Sequence, residues 1–218
     1  MQEKKSRKAR KRVMAAIIFA ILALIAANFI QAVNEYYPVR YEGFIEKYSA
    51  EYGLDSSIVY AVIHAESKFK EDAVSRKGAS GLMQIIESTA YWLVPKVGIN
   101  DFEYSQIFDP EINIQLGCYY LSMLSRLYGD IELALCAYNA GSGNVDSWLQ
   151  NSNYSSNGES LDHIPFAETR NYVKRVSGNR KIYTAILGLN RFVAVTKQNI
   201  SRGLWLLGKW RNYYALRW

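Results

Sequence analysis

The hydrophobic positions of this chain follow two patterns. Residues 13–30 read VMAAIIFAILALIAANFI, an apolar run whose one polar side chain is Asn28. As a helix at ~1.5 Å per residue it covers ~27 Å, close to the ~30 Å hydrocarbon thickness of a bilayer. From about Tyr41 onward the apolar residues recur instead at spacings of three and four, as on helices with one buried face. The spacing predicts helices over 41–52, closed near Gly53; over 56–66, capped by Asp55 with Ile58, Val62 and Ala65 on one face; and over 87–94, stopped before Pro95. Further helices are expected over 111–128, with Ile114, Cys118, Leu121 and Ser125 on one stripe, over 131–139 after a tight turn at Gly129 and Asp130, and over 168–189. Residues 151–160, rich in Gly, Ser and Asn, read as a loop. No alternating run is long enough for a sheet, so the expected fold is an all-α globule preceded by one apolar helix.

Composition supports a folded chain. With 218 residues, 50% of them hydrophobic and 21% charged, there is room for one core and appendages, and the disordered class is excluded. The net charge of +6 sits at the ends. Residues 1–12 carry +6 and residues 191–218 carry another +6, which leaves −6 for the middle. A nucleic-acid-binding core would be basic, so no nucleic-acid partner is expected.

The basic cluster before the apolar run predicts a single-pass anchor, with the N-terminus in the cytoplasm and everything after residue 30 outside the membrane. The rival is a cleaved signal peptide, but its apolar region is usually shorter, ~7–15 residues, and residues 23–27 offer no clean cleavage site. The expected organisation is a basic N-terminus at 1–12, an anchor at 13–30, a linker at 31–40, a main helical domain at 41–190 and a basic aromatic extension at 191–218. The linker is short enough to keep the domain within tens of ångströms of the membrane.

The extension has six bases, no acid, and Trp205, Trp210, Tyr213, Tyr214 and Trp218. That composition suits an anionic membrane interface. It equally suits an extra helix packed on the domain through Leu204, Leu206 and Leu207, and anionic wall polymers are a third partner. Cys118 and Cys136 form no metal motif, and two histidines are too few for a familiar zinc site. Two buried small hydrophobes are expected. A disulfide stays open, though the cysteines lie at different distances from the Gly129 turn.

Four segments carry candidate chemistry. Ala65-Glu66-Ser67-Lys68-Phe69 places a carboxyl at the end of a strongly apolar helix, where the helix dipole and an apolar surround both favour the protonated form. A general acid needs that state. In Ser75-Arg76-Lys77-Gly78-Ala79-Ser80-Gly81-Leu82-Met83-Gln84 the glycines permit close backbone approach, and Gln84 offers a donor and an acceptor to sugar groups. Ala137-Tyr138-Asn139-Ala140-Gly141 sets a phenol and an amide at a helix end, and Ile164 to Val173 leads through Pro165 into the last helix. Each segment also has an ordinary structural explanation. His64, two residues from Glu66, points to another helix face and reads as structural.

In this order and spacing the motifs E-S-x-F, G-A-S-G-L-M-Q, A-Y-N-A-G and E-T-R-x-Y-V resemble the soluble lytic transglycosylase family, related to goose-type lysozymes, over about residues 41–189. The resemblance implies a lysozyme-like helical domain with a glycan groove and makes Glu66 the catalytic acid. It places Ser75, Met83, Gln84, Tyr138 and Asn139 on the groove, with Glu168 and Tyr172 nearby. Glu87, where many relatives have proline, and Cys136, where a small residue is common, depart from the pattern without touching these positions. The implied substrate is the peptidoglycan glycan strand, cleaved between N-acetylmuramic acid and N-acetylglucosamine without water, metal or organic cofactor. A hydrolase on the same fold would need a second carboxylate such as Asp72 or Asp101. A non-catalytic wall-binding protein would need neither, and the intact Glu66 and Gln84 speak against it.

Overall fold

The computed structural model describes residues 2–215, with side chains described for Arg7, for 10–202 and for Trp205. The chain divides into two compact units that meet at Arg40 and Tyr41.

The first unit is a single helix, α1 (Gln2–Tyr36). Within Arg10–Tyr36 an 18-residue window has a mean hydropathy of 2.7 and none of it is buried, so the helix is long and apolar enough to cross a membrane. Asn28 donates its side-chain N–H to the carbonyl of Leu24 at 2.8 Å, which satisfies that donor within the helix. The helix runs past the expected end at residue 30 because nothing breaks it before Pro38. Only residues 37–40 lie outside helix before the second unit.

The second unit is helical, with α2 (Glu42–Tyr52), α3 (Ser56–Glu66), α4 (Glu87–Leu93), α5 (Pro110–Tyr128), α6 (Ile131–Ala140), α7 (Ser142–Leu149) and α8 (Ala167–Ala215). Among the described residues there is no strand; Ser80 makes isolated bridges to Val74 and Ile85. The caps follow the sequence. Asp55 accepts from the Ser57 N–H, Asp109 from those of Glu111 and Ile112, and Asp130 from that of Leu133, while Gly53 and Gly129 close α2 and α5 in the left-handed region.

As expected, α4 stops before Pro95, at Leu93, and the chain tightens into a 3₁₀ turn, Val94–Lys96, in which Pro95 sits at the start where its missing N–H costs nothing. Two features differ from expectation. Residues 142–149, unassigned from the sequence, form α7, which buries Val145 and Trp148. The last helix does not stop at 189, because no proline interrupts it and single glycines weaken a helix without ending it.

The core is built around α3. Residues Ile58 to Ile63 are at most 3% exposed, so α3 is buried all round rather than on one stripe, between α2 and α8. At its far end Tyr60, His64, Phe69 and Tyr183 form a ring cluster, with Tyr60 stacked on Tyr183 at 5.2 Å and His64 edge-on to Tyr183 at 5.9 Å. Burial lowers the His64 pKa, and Lys68 lowers it further. The histidine therefore belongs to the core. α5 packs between α2 and α6, and Cys118 and Cys136 are buried free thiols there.

Candidate active site

Glu66 is the last residue of α3. Beyond it Ser67 caps the helix, and Lys68 and Phe69 both take positive φ, 53° and 62°. Two consecutive side-chain-bearing residues in that region are uncommon, and the turn holds because Phe69 is locked into the ring cluster at 2% exposure. The carboxyl is thereby fixed at the mouth of a buried helix.

The second motif forms the facing wall. Asn113, fully buried on α5, accepts the Met83 N–H at 2.7 Å and donates to the carbonyls of Ser80 at 3.1 Å and Ile107 at 2.8 Å. Gly81, at φ 78°, allows that approach, because a Cβ there would overlap the Asn113 side chain. Gly117 on α5 makes room in the same way for the Met83 side chain. The loop is thus clamped onto α5 and delivers Gln84, itself at φ 52°. Both side-chain N–H groups of Gln84 are spent on the carbonyls of Ala73 at 3.0 Å and Gly81 at 2.9 Å, so Gln84 can only accept from a ligand. The donor half of its expected role is unavailable for a structural reason.

A cleft of about 660 Å³ runs between these elements, lined by Glu66, Ser75, Gln84, Tyr138, Asn139 and Glu168 among others. Six of the eight expected residues therefore meet. Met83 lies beneath the wall at 0% exposure, where its carbonyl accepts the Tyr138 hydroxyl at 2.8 Å. Tyr172 is buried behind Glu66 on α8. Its hydroxyl is close enough to favour the ionised carboxylate, yet it lies outside good hydrogen-bond geometry.

Thr89 and Tyr120 also line the cleft without having been singled out from the sequence, as do Arg76 and Lys77. Tyr120 stands 5.2 Å from the Tyr138 ring and 6.4 Å from Trp92. It lies off the expected α5 stripe of Ile114, Cys118, Leu121 and Ser125, and only the fold shows that it faces the cleft.

The two cleft carboxylates sit in different environments. Burial pushes Glu66 up to about 7, against smaller opposing effects of Tyr172 and Arg175. Glu168 is exposed and lies 3.9 Å from Lys77, a loose surface pair. Asp72 and Asp101 are exposed and do not line the cleft.

Residues 43–160 match the family described as the transglycosylase SLT domain. The chain belongs to the transglycosylase SLT domain family. It is 34% identical over 172 residues to the soluble lytic murein transglycosylase of Salmonella typhimurium, covering 78% of this chain and 27% of that protein. It is 31% identical to membrane-bound lytic murein transglycosylase C of Yersinia pestis, covering 77% of this chain and 51% of that one. It also superposes on lytic transglycosylase Slt from Pseudomonas aeruginosa, solved as an inactive mutant with one glutamate changed to glutamine. That match has a TM-score of 0.65 and 35% identity, and covers 72% of this chain and 26% of the other. The chain therefore spans about a quarter to a half of the length of these SLT-domain relatives. The all-helical, lysozyme-like reading of the fold holds.

Proposed function

We propose that this protein is a membrane-anchored lytic transglycosylase that cuts the β-1,4 bond between N-acetylmuramic acid and N-acetylglucosamine in peptidoglycan. The observation that carries the reading is the pairing of one half-buried, protonatable carboxyl with a cleft that holds no second carboxylate suited to act as nucleophile or base. A relative inactivated by a single Glu-to-Gln change fits a one-carboxylate reaction.

In that reaction Glu66 donates its proton to the glycosidic oxygen as the C1–O bond breaks, releasing the 4-hydroxyl of N-acetylglucosamine. The muramic acetamido oxygen supports the charge at C1. Ionised Glu66 then takes the proton of the C6 hydroxyl as O6 bonds to C1, which closes a 1,6-anhydro ring and restores the acid. No water is consumed. Gln84 and Asn139 serve sugar hydroxyls and acetamides, Ser75 keeps a hydroxyl proton to donate, and Tyr138, tied to Met83, shapes the floor. Tyr172 positions and tunes Glu66 from behind.

Residues 41–190 form the catalytic domain on this reading, and α1 is the anchor, with its basic start in the cytoplasm and the domain outside. The membrane-bound Yersinia relative and the apolar helix support anchoring. The C-terminal part of α8 adds a peripheral contact with an anionic membrane surface.

Digestion of purified peptidoglycan followed by mass analysis of the new glycan ends tests the activity. Ends 18 Da lighter than reducing muramic acid are expected. Reducing ends alone would make the protein a hydrolase, and intact strands would leave a binding protein.

A further inference from the structure

Resting on the glycan-cleaving reading, we propose that Arg76 and Lys77 form a subsite for carboxylates carried on the C3 lactyl arm of muramic acid. The enzyme would thereby recognise which strands bear that charge. The two residues are the central pair of a turn, Ser75 to Gly78, closed by the Gly78 N–H to the Ser75 carbonyl at 3.0 Å and by the Ser75 N–H to the Ala79 carbonyl at 2.8 Å. Ser75 Oγ accepts from the backbone of Lys77 and Ala79 at 3.3 and 3.0 Å. The Tyr104 hydroxyl is within 3.0 Å of the Gly78 carbonyl, which ties the turn to the next segment.

The turn is therefore fixed, and its two cations line the cleft beside the groups proposed to bind sugar. Arg76 has no ion pair among the described residues. Lys77 has only the loose contact with Glu168, in which both side chains are more than 70% exposed. A weak, solvated pair yields readily to a better-placed anion.

The sugar rings of the glycan are neutral and need acceptors, donors and flat surfaces, not two adjacent cations. The anionic groups of the repeat hang from C3 of muramic acid. They are either the lactyl carboxylate itself on a naked strand or, where a peptide is attached, the carboxylates of that peptide. A guanidinium and an ammonium on one rigid turn match a carboxylate held at the groove edge.

The test measures kcat/KM of the full-length enzyme on three strands: peptide-bearing, peptide-free with the lactyl carboxylate, and peptide-free with that carboxylate converted to its methylamide. The native protein should prefer at least one charged strand over the neutral one by about three- to tenfold, with the difference in KM and shrinking at high salt. The charged strand preferred identifies the source of the carboxylate. In the Arg76→Gln, Lys77→Gln variant that ratio should fall towards one. A ratio already near one in the native protein, or one unchanged in the variant, overturns the subsite. Failure of the native protein to cleave any strand would instead sink the glycan-cleaving reading.

Discussion

At the scale of single residues the protein rests on the placement of one carboxyl. On the proposed mechanism Glu66 acts in its protonated form, so its pKa of about 7 sets the alkaline limb of activity: kcat/KM should fall about tenfold per unit above pH 7. Glu66→Gln should abolish cleavage and spare strand binding, measured by product release and by pull-down on insoluble wall. Full activity in that variant would remove Glu66 from the mechanism. The same shift has a consequence for stability. Between about 4.5 and 7 the folded protein holds a proton that the unfolded chain has released, so this group's contribution falls as pH rises through that window and is flat above it. Glu66→Gln has no such loss. Denaturant unfolding at pH 4.5 and pH 8 should therefore show the variant gaining on the native protein by roughly 3 kcal/mol across the interval. Tyr172 opposes the rise. Tyr172→Phe should move the alkaline limb to higher pH, which a merely structural loss would not do. The motifs exposed Glu66, Gln84 and Tyr138 by type and order, but not what each atom is free to do. The exhausted N–H groups of Gln84 and the burial of Met83 depend on backbone carbonyls brought together only by folding.

At the scale of elements, helix periods, the Asp55 cap, the Gly53 stop and the Gly129–Asp130 turn were readable because these residues act within a few positions of themselves. Helix α7 was not. Its eight residues follow Gly141, an N-cap with no side chain to cap them, and contain Gly143 and Asn144, poor helix formers; it forms because Val145 and Trp148 find a buried place. The clamp between α5 and the 80–84 loop is likewise tertiary, since Asn113 sits in the first turn of α5, where a polar side chain gives no sign in the sequence of the partners that folding brings to it. Replacing it should be costly. Asn113→Ala leaves the Met83 N–H and the Ser80 and Ile107 carbonyls without this partner in a dry site, and about 3 kcal/mol of unfolding free energy should be lost, measured by chemical denaturation. Activity should fall further than stability explains, because the loop carries Ser75 and Gln84. A loss confined to stability would mean that the cleft wall holds its shape without the clamp.

At the scale of the whole molecule the open matter is what α8 does after it leaves the core. Leu187 is its last buried residue, and every described side chain from Gly188 to Arg202 is exposed, including Leu189, Phe192, Val195 and Ile200. Trp205 is 63% exposed as well. The expected packing of Leu204, Leu206 and Leu207 on the domain, and the aromatics at 210, 213 and 214, fall on residues whose side chains lie outside the description, and Trp218 lies beyond the described chain. Glu168 is the helix's one acid against ten bases. Arg180 and Arg191 pair loosely with Asp55 and Glu46, whereas Lys197 and Arg202 have no ion pair among the described residues. Exposed apolar side chains cost free energy in water, and like charges repel one another; an anionic bilayer surface relieves both at once, with up to ~1 kcal/mol per base near the headgroups. If α1 anchors the chain as proposed, that surface is at hand. Vesicle co-sedimentation of residues 41–218, with and without residues 199–218, isolates the effect from the anchor. The longer polypeptide should bind vesicles rich in anionic lipid, bind neutral vesicles much less, and be released as salt rises. Lys197→Gln with Arg202→Gln should weaken it in the same direction without altering the cleft. Equal binding by both polypeptides, insensitive to lipid charge and salt, would remove the membrane from the role of α8.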